Sequence, residues 1–563
     1  MLETSSRYPC VIYSHTTSWH DGGVALLLTD GSIRALAAER VGDRYKHSWN
    51  SRLAYNYLKD FYEGQACCAF GSSTDYFVDT VNGIERNGHH SYHAAGAFYA
   101  SPFDDAVILV VDGQGPEAGK LASTSIWKGE GHKLTLVEMP SLTEGVFVPN
   151  SIGHFYTAVG ALAGMKNLFE EGKTMGLAAY GEPSTYVDYF RRYVHSNSDG
   201  SYFIDPRFTL AVLGNTLGPK IFRWQPQPSD VQEIWGELTK LRKTPLREDG
   251  EDVTQEDMNI AYAGQLLLEE LILGLARRAR SLTGSDYLCI GGGVALNAVA
   301  NGKVLQSGMF KDIFIFPAPA DDGQAIGKLF SHIQTHGIDV NTKAETAFYG
   351  PPYPAGVIQE AITKYQDQVR VITSEMDSVT KEVVDRIVDG QVIGWFQGGS
   401  ELGPRALGHR SILADPRNPG MRDFINGRVK RREWYRPLAP LVLEDEAGDY
   451  FDLDRPSPFM LIITNVKPEK RALIPAVTHA DGSARIQTVN RQQNPEMYNL
   501  IQHFKSRTGV PILLNTSFNR NSEPIVESPQ DALEAFINME MDALVLEDCL
   551  LIKKEDAGNS EEP

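Results

Sequence analysis

Basic charge, cysteine and long apolar runs are what this sequence has little of. Its 53 Lys and Arg face 72 Asp and Glu, a net charge of -19. That balance argues against nucleic acid or an anionic membrane surface as a general partner, since either wants a positive field. Any anion site must be a local exception. Cys10, Cys67, Cys68, Cys289 and Cys549 form an odd set without CxxC spacing, against a disulfide framework or a zinc ribbon; reduced, structural thiols are expected. No run of 18 apolar residues occurs, and the start MLETSSRYPCVIYSH lacks the charged and apolar regions of a signal peptide. A cytoplasmic protein is expected.

What is present is ordinary globular material. With 563 residues, 42% of them hydrophobic, the chain is too long for one core, so two or three domains are expected. The stretch GGVALLLTDGSIRALAAER, from Gly22, has the pattern of a hairpin turning at Asp30-Gly31. A second such phrase spans residues 105 to 138, where a buried strand ends at Asp112-Gly113 and two further strands follow. The repetition predicts a duplicated α/β domain. The stretch from Met258 to Leu282 has helical spacing and leads into DYLCIGGGVALN. There Gly291, Gly292 and Gly293 turn strand into helix, which suits a nucleotide loop or simple tight packing. The Pro/Gly-rich TKAETAFYGPPYPAG puts a domain boundary near residue 350. Beyond it QVIGWF and VPILLN alternate with helical patterns, so residues 351–553 form a second α/β domain and the acidic tail 554–563 is expected to be disordered.

Two clusters carry chemistry. His89 and His93, in NGHHSYH, stand four apart and share a helix face, the spacing that lets two imidazoles reach one ion, although the same spacing also occurs on solvated faces. Asp112 and Asp321, one from each half of the duplication, are plausible partners, and a His2Asp2 set would suit Fe, Mn or Zn. The second cluster runs from Arg405 to Arg436, with nine Lys or Arg against three Asp or Glu. Arg405 follows a Gly-Pro turn and Arg436 sits among aromatics in RREWYRP, which favours fixed guanidiniums in an anion pocket over a solvated basic face or an RNA strip. Arg485 in SARIQTV, and Asn515, Thr516 and Ser517 after VPILL, add donors suited to phosphate or ribose, or to an ordinary turn.

The motifs HHSYHAAGAFYASPF, EGKTMGLAAYG, GGGVALN, GWFQGGSELGPRALGHRSILADPR, REWYRPLAP and ILLNTSFN together resemble the NodU/CmcH family of carbamoyltransferases over nearly the whole chain. The resemblance implies an actin-like (ASKHA) domain at 1–350, related to the tRNA threonylcarbamoyladenosine synthases, and a YrdC-like domain at 351–553. It implies that the YrdC-like domain converts carbamoyl phosphate and ATP, with Mg, to carbamoyladenylate, and that the actin-like domain passes the carbamoyl group to a hydroxyl of a small-molecule acceptor.

Residue by residue, it implies a metal, Fe in the first place, at His89, His93, Asp112 and Asp321, with His90 in a supporting role. Arg405, Lys430 and Arg436 match basic catalytic positions; Lys173, Gly291, Gly292, Gly293, Asn297, Arg485, Asn515 and Ser517 match nucleotide positions. His20, Asp21 and Lys46, in SWHDGG and AAERVGDRYKH, are placed near the acceptor, where His20 or Asp21 could take the hydroxyl proton. VDGQGPEAG departs from the family's usual VDGVGE, and Gly64 to Asn87 is idiosyncratic, which leaves the acceptor open. Threonylcarbamoyl transfer to RNA and a nucleotide-binding regulator without turnover are the rival readings. A homodimer is the default assembly.

Overall fold

The protein is described here from a computed structural model, which covers residues 12–17, 21–28, 30–41, 51–62, 76–77, 88–117, 120–140, 150–217, 228–247 and 251–554. His20, Lys46, Cys10, Cys67, Cys68, most of 64–87 and the tail from residue 555 lie outside the described residues. Cys289 and Cys549 are buried free thiols.

Two sheets in the first half repeat one plan. In the first, Ile12–Thr17, Gly22–Leu27 and Ile33–Ala37 form an antiparallel meander, and Tyr76–Phe77 adds parallel to the far side of Ile12–Thr17. In the second, Asp105–Glu117, Lys120–Glu130 and Lys133–Glu138 form the meander, while Tyr287–Gly291 and then Asp312–Ile315 add parallel beyond Asp105–Glu117. This is the expected duplication. One detail differs: the strand does not stop at Asp112. It continues to Glu117 through a register shift between Val111 and Gly115, and such a bulge re-aims the side chains it lifts out of the ladder.

Helices His89–Tyr99 and Gln324–Thr335 lie side by side, the first against the second sheet and the second against the first sheet. Small residues make this layer thin. Gly96 and Gly327 meet backbone to backbone, and a Cβ on Gly327 would fall 2.2 Å from the Tyr92 carbonyl oxygen. Buried Ala94, Ala97, Phe98, Ile326, Leu329 and Phe330 fill the space around them. On the other face of the second sheet packs the helix Gln255–Thr283, opened by a Thr254–Asp257 capping box and closed by Gly284 in a left-handed conformation (φ 66°). No described helix is long and apolar enough to cross a membrane.

The second half is built on an eight-stranded mixed sheet in the order Val369–Thr373, Cys549–Lys553, Ala543–Leu546, Ile393–Phe396, Arg410–Ala414, Ile512–Ser517, Ala439–Leu443, Gln487–Val489. It has its own apolar core around Trp395, Ile412, Leu513 and Leu544. The two halves also interlock. In the helix Ala298–Gln306, Asn301 Nδ2 donates to the Leu461 carbonyl at 2.9 Å, and a Cβ on Gly302 would lie 2.0 Å from the Ile463 carbonyl oxygen. Since backbone cannot yield as a side-chain tip can, Gly302→Ala should destabilise the fold by about 1–3 kcal/mol. A lowered midpoint in denaturant unfolding, beside a Gly356→Ala control that sits in open space and is not destabilised, is the expected result.

Candidate active site

The bulge, the paired helices and one loop bring four side chains to a point. His89 and His93 come from the helix between the sheets, Asp112 from the bulged strand, and Asp321 from the short turn that starts the helix Gln324–Thr335. All four are buried, and one ligand atom from each lies within 4.8 Å of the others. Around an ion with bonds of about 2.0–2.2 Å, neighbouring donors stand roughly 3–3.5 Å apart. Here His93 Nε2 is 3.3 Å from His89 Nε2 and 3.2 Å from Asp321 Oδ1, and His89 Nε2 is 3.5 Å from Asp321 Oδ1 and 2.7 Å from Asp112 Oδ2. The two imidazoles and Asp321 stand at a divalent cation's donor spacing, while Asp112 is drawn in to hydrogen-bond His89 and stands 3.9 Å from His93 Nε2; in chemistry the set, two imidazoles against two carboxylates, suits such an ion.

Electrostatics agree with the geometry. Burial alone would push Asp112 up, but the hydrogen bond and charge of His89, with His93 beside it, hold it far below the usual carboxylate range. Burial would likewise push His89 down, yet Asp321 and Asp112 outweigh it and the imidazole is raised. The acids are thus ionised and the site is built for positive charge, whether proton or metal. His90 points away: it is buried, its Nδ1 meets Ser125 Oγ at 2.9 Å and its Nε2 the Ala122 carbonyl at 3.0 Å, and burial lowers it to about 3, so it stays neutral.

The surroundings hold these ligands in place. The helix starts at Gly88, which has no side chain to cap it, and Glu117 does so from the neighbouring strand, accepting from the His90 and Ser91 amides at 2.8 and 3.1 Å. The Gln324 side-chain nitrogen reaches Asp321 Oδ1 at 2.8 Å and His93 Nε2 at 3.1 Å. Neither residue stood out in the sequence, because a lone Glu or Gln has no spacing signature. Gly292 (φ 86°) lets the three-glycine turn close on the bulge, where the Gly293 amide donates to Asp112 Oδ1 at 2.9 Å. Asn297 caps the next helix through Ala300 and bonds Gln265. Asp21 lies beside Asp322, whose buried carboxyl is pushed up to about 8, by burial first and then by Asp21, Glu39 and Asp321.

A second cluster lies just beyond this turn. Arg405 Nη2 contacts the Leu296 carbonyl at 3.5 Å, so the turn 291–296 touches both centres. Burial and Arg436 push the Arg405 guanidinium down to about 10, Arg432 falls to about 9, and Arg485 is depressed by burial and by Arg405, Arg436 and Arg432. Guanidinium stays protonated at neutral pH. The shifts therefore express like charge packed together without enough anion to match it. Among the described residues, Arg405 Nε, Arg432 Nη2 and Arg485 Nε are buried without a hydrogen-bond partner. Glu433 stands 3.8 Å from Arg436 but gives its other oxygen to Lys173 at 2.7 Å. Lys173, expected at the nucleotide, also holds Glu170 at 2.7 Å.

Lys430 and Ser517 are brought together: Lys430 Nζ donates to the Ser517 carbonyl and hydroxyl at 2.5 and 2.9 Å and to Asn519 Oδ1 at 2.9 Å. Asn519 and Arg432 are the additions the geometry makes here, both inside motifs whose other residues drew attention. Asn515 turns inward, donating to the Ala406 carbonyl at 3.1 Å and to Gln487 at 3.0 Å.

Comparison with known proteins names the class. Residues 57–329 match the family model for the carbamoyltransferase N-terminus and residues 384–553 that for the carbamoyltransferase C-terminus. The chain belongs to this carbamoyltransferase family, the NodU/CmcH family its motifs resemble, and is an enzyme of it. It is 37% identical over 588 aligned positions to nodulation protein NolNO of Sinorhizobium fredii, covering 96% of this chain and 80% of that one. It is 36% identical to nodulation protein NolO of Bradyrhizobium diazoefficiens (83% and 79%). To the 3'-hydroxymethylcephem-O-carbamoyltransferase of Streptomyces clavuligerus it is 30% identical (77% and 76%). Among solved structures, full-length HypF covers 60% of this chain and 57% of its own at 14% identity and a TM-score of 0.36, too distant to carry a functional argument.

Gly115 tests the first centre. A Cβ there would lie 2.0 Å from His89 Cδ2, so Gly115→Ala should push the ring aside and weaken divalent-metal binding by roughly 10- to 100-fold. Elemental analysis after dialysis against graded free metal reads this directly.

Proposed function

We propose that this carbamoyltransferase works in two half-reactions divided between residues 1–350 and 351–553. In the second domain, water cleaves carbamoyl phosphate to carbamate and phosphate, and a carbamate oxygen then displaces pyrophosphate from the α-phosphorus of ATP to give carbamoyladenylate. In the first, a hydroxyl of a small-molecule acceptor takes the carbamoyl group and AMP leaves. The observation that carries this reading is the arginine cluster: guanidiniums of Arg405, Arg432, Arg436 and Arg485 are crowded together with buried donors unmet.

Two polyanions would meet those donors. Carbamoyl phosphate and the ATP triphosphate repel each other in water, and fixed cations both cancel that repulsion and stabilise charge that develops as the phosphoryl bonds change. Arg405, Arg436 and Arg485 would hold phosphate oxygens by paired N–H donors. Lys430 and Ser517, already in contact, would orient the nucleotide's phosphates, with Asn519 fixing the lysine. Lys173 neutralises Glu433 and so frees the arginines for substrate.

In the first domain His89, His93, Asp112 and Asp321 would hold a divalent ion, Fe, Mn or Zn by donor type. Such an ion supplies Lewis-acid polarisation of a carbonyl or phosphoryl oxygen. His20 or Asp21 would accept the acceptor's proton; Asp21 acts on the buried Asp322, whose carboxyl is raised to about 8. The small-molecule branch is preferred to transfer onto RNA because the net charge of -19 opposes a polyanionic macromolecule.

Separate roles give separate failures. Arg405→Ala should lower pyrophosphate release by about 100-fold or more while transfer from supplied carbamoyladenylate persists. His89→Ala should do the reverse. Both assays are read on the purified full chain with a carbamoylatable alcohol panel; loss of both activities in both variants would contradict the division of labour.

A further inference from the structure

The loop that carries Arg405 is fastened from the other half of the molecule. Its residues 401–410 are organised by Glu401, whose Oε1 accepts from the amides of Leu407, His409 and Arg410 at 2.7, 2.9 and 3.2 Å. That internal order does not say where the loop sits. Its placement comes from outside: Arg40, at the end of the turn Ala38–Arg40 after the first sheet's hairpin, donates Nη2 to the Gly403 carbonyl at 2.8 Å and reaches the Glu401 carbonyl at 3.4 Å. Gly403, in a positive-φ conformation (102°), lies so close to the loop preceding Asp321 that a Cβ would fall 2.3 Å from the Pro317 carbonyl oxygen. Two residues later comes Arg405.

Arg40 is an expensive way to make a packing contact. Only 2% of it is exposed; among the described residues its Nη1 finds no hydrogen-bond partner, Glu39 stands 3.9 Å away, and its charge also acts on buried Asp322 and Glu527. A buried guanidinium with an unmet donor costs stability unless its position serves a further end. What it grips is backbone, two carbonyls bracketing Leu402, and backbone contacts set the path of a loop irrespective of side chains. The same seam is reinforced by Leu402 N donating to the Ala347 carbonyl at 2.8 Å and Gly350 N to the Ser400 carbonyl at 3.0 Å. Arg40 is the charged member of that seam, and it stands in the turn that follows the first sheet's third strand.

We propose that Arg40 is a positioning residue for adenylate formation: from the first domain it fixes the loop 401–410 so that Arg405 faces the anion pocket of the second. The inference rests on the two-domain reading above.

The test is pyrophosphate release over the first turnover by the full chain, with saturating ATP, varied carbamoyl phosphate and no acceptor. Arg40→Met should raise the half-saturating concentration of carbamoyl phosphate roughly 10- to 100-fold, the scale expected when a binding group is displaced by about 1 Å. Arg40→Lys, which keeps a donor for the Gly403 carbonyl, should fall between Arg40→Met and wild type. A merely structural role would lower the amplitude in step with the folded fraction seen by circular dichroism and leave half-saturation unchanged, which would overturn the proposal. If Arg40→Met does not fold, Arg40→Lys decides by the same criterion. A silent wild type would overturn the adenylation reading and this inference with it, whereas an active wild type with an unaltered Arg40→Met would overturn this inference alone.

Discussion

The close contact between the helices His89–Tyr99 and Gln324–Thr335 is the constraint on which the first centre depends. Gly96 and Gly327 allow the two backbones to meet, and this brings a histidine pair from one half of the duplication within 3.5 Å of an aspartate from the other. A larger residue at either glycine would part the helices and separate the donors. Because the helices are also the filling between two sheets, the ligand geometry is tied to the main core and is not left to a loop. Pre-organisation of this kind is what a metal site needs, since each ligand's freedom is lost on folding and not on binding.

The second centre rests on the opposite principle. There the protein holds together charges that repel each other. Besides their burial, the charge of Arg436 depresses Arg405 and Arg432, and all three depress Arg485; the fold tolerates this because the strands and turns that carry them are anchored by apolar packing around Ile412, Leu441 and Leu513. Bound anions would turn that repulsion into attraction, and part of the folding stability given up there would return as binding. The turn Gly291–Leu296 lies between the two centres, touching Asp112 on one side and Arg405 on the other. The fused chain thus places the two sites back to back.

Much of this was legible in the residues alone. The duplicated hairpins, the long helix and the second set of strands followed from period and turn chemistry, and the four metal-site candidates do converge. Three features were not legible. The strand through Asp112 was expected to end there, because Asp-Gly is a turn signal; the bulge keeps it going, and bulges depend on the partner strand. Lys173 is held by Glu170 and by Glu433, 260 positions away by subtraction, a pairing that only tertiary structure creates. Glu117, Gln324 and Arg40 act through backbone or through other side chains, and such roles leave no motif. The segments bearing His20 and Lys46 lie outside the described residues.

The most direct measurement is mass spectrometry of the purified full chain incubated with ATP, carbamoyl phosphate, Mg and a divalent transition metal, without acceptor. The account predicts carbamoyladenylate bound to the protein together with one equivalent of pyrophosphate. Nucleotide bound intact, with carbamoyl phosphate unconsumed under conditions where an added alcohol is still carbamoylated, would contradict it, because transfer would then proceed without the adenylate.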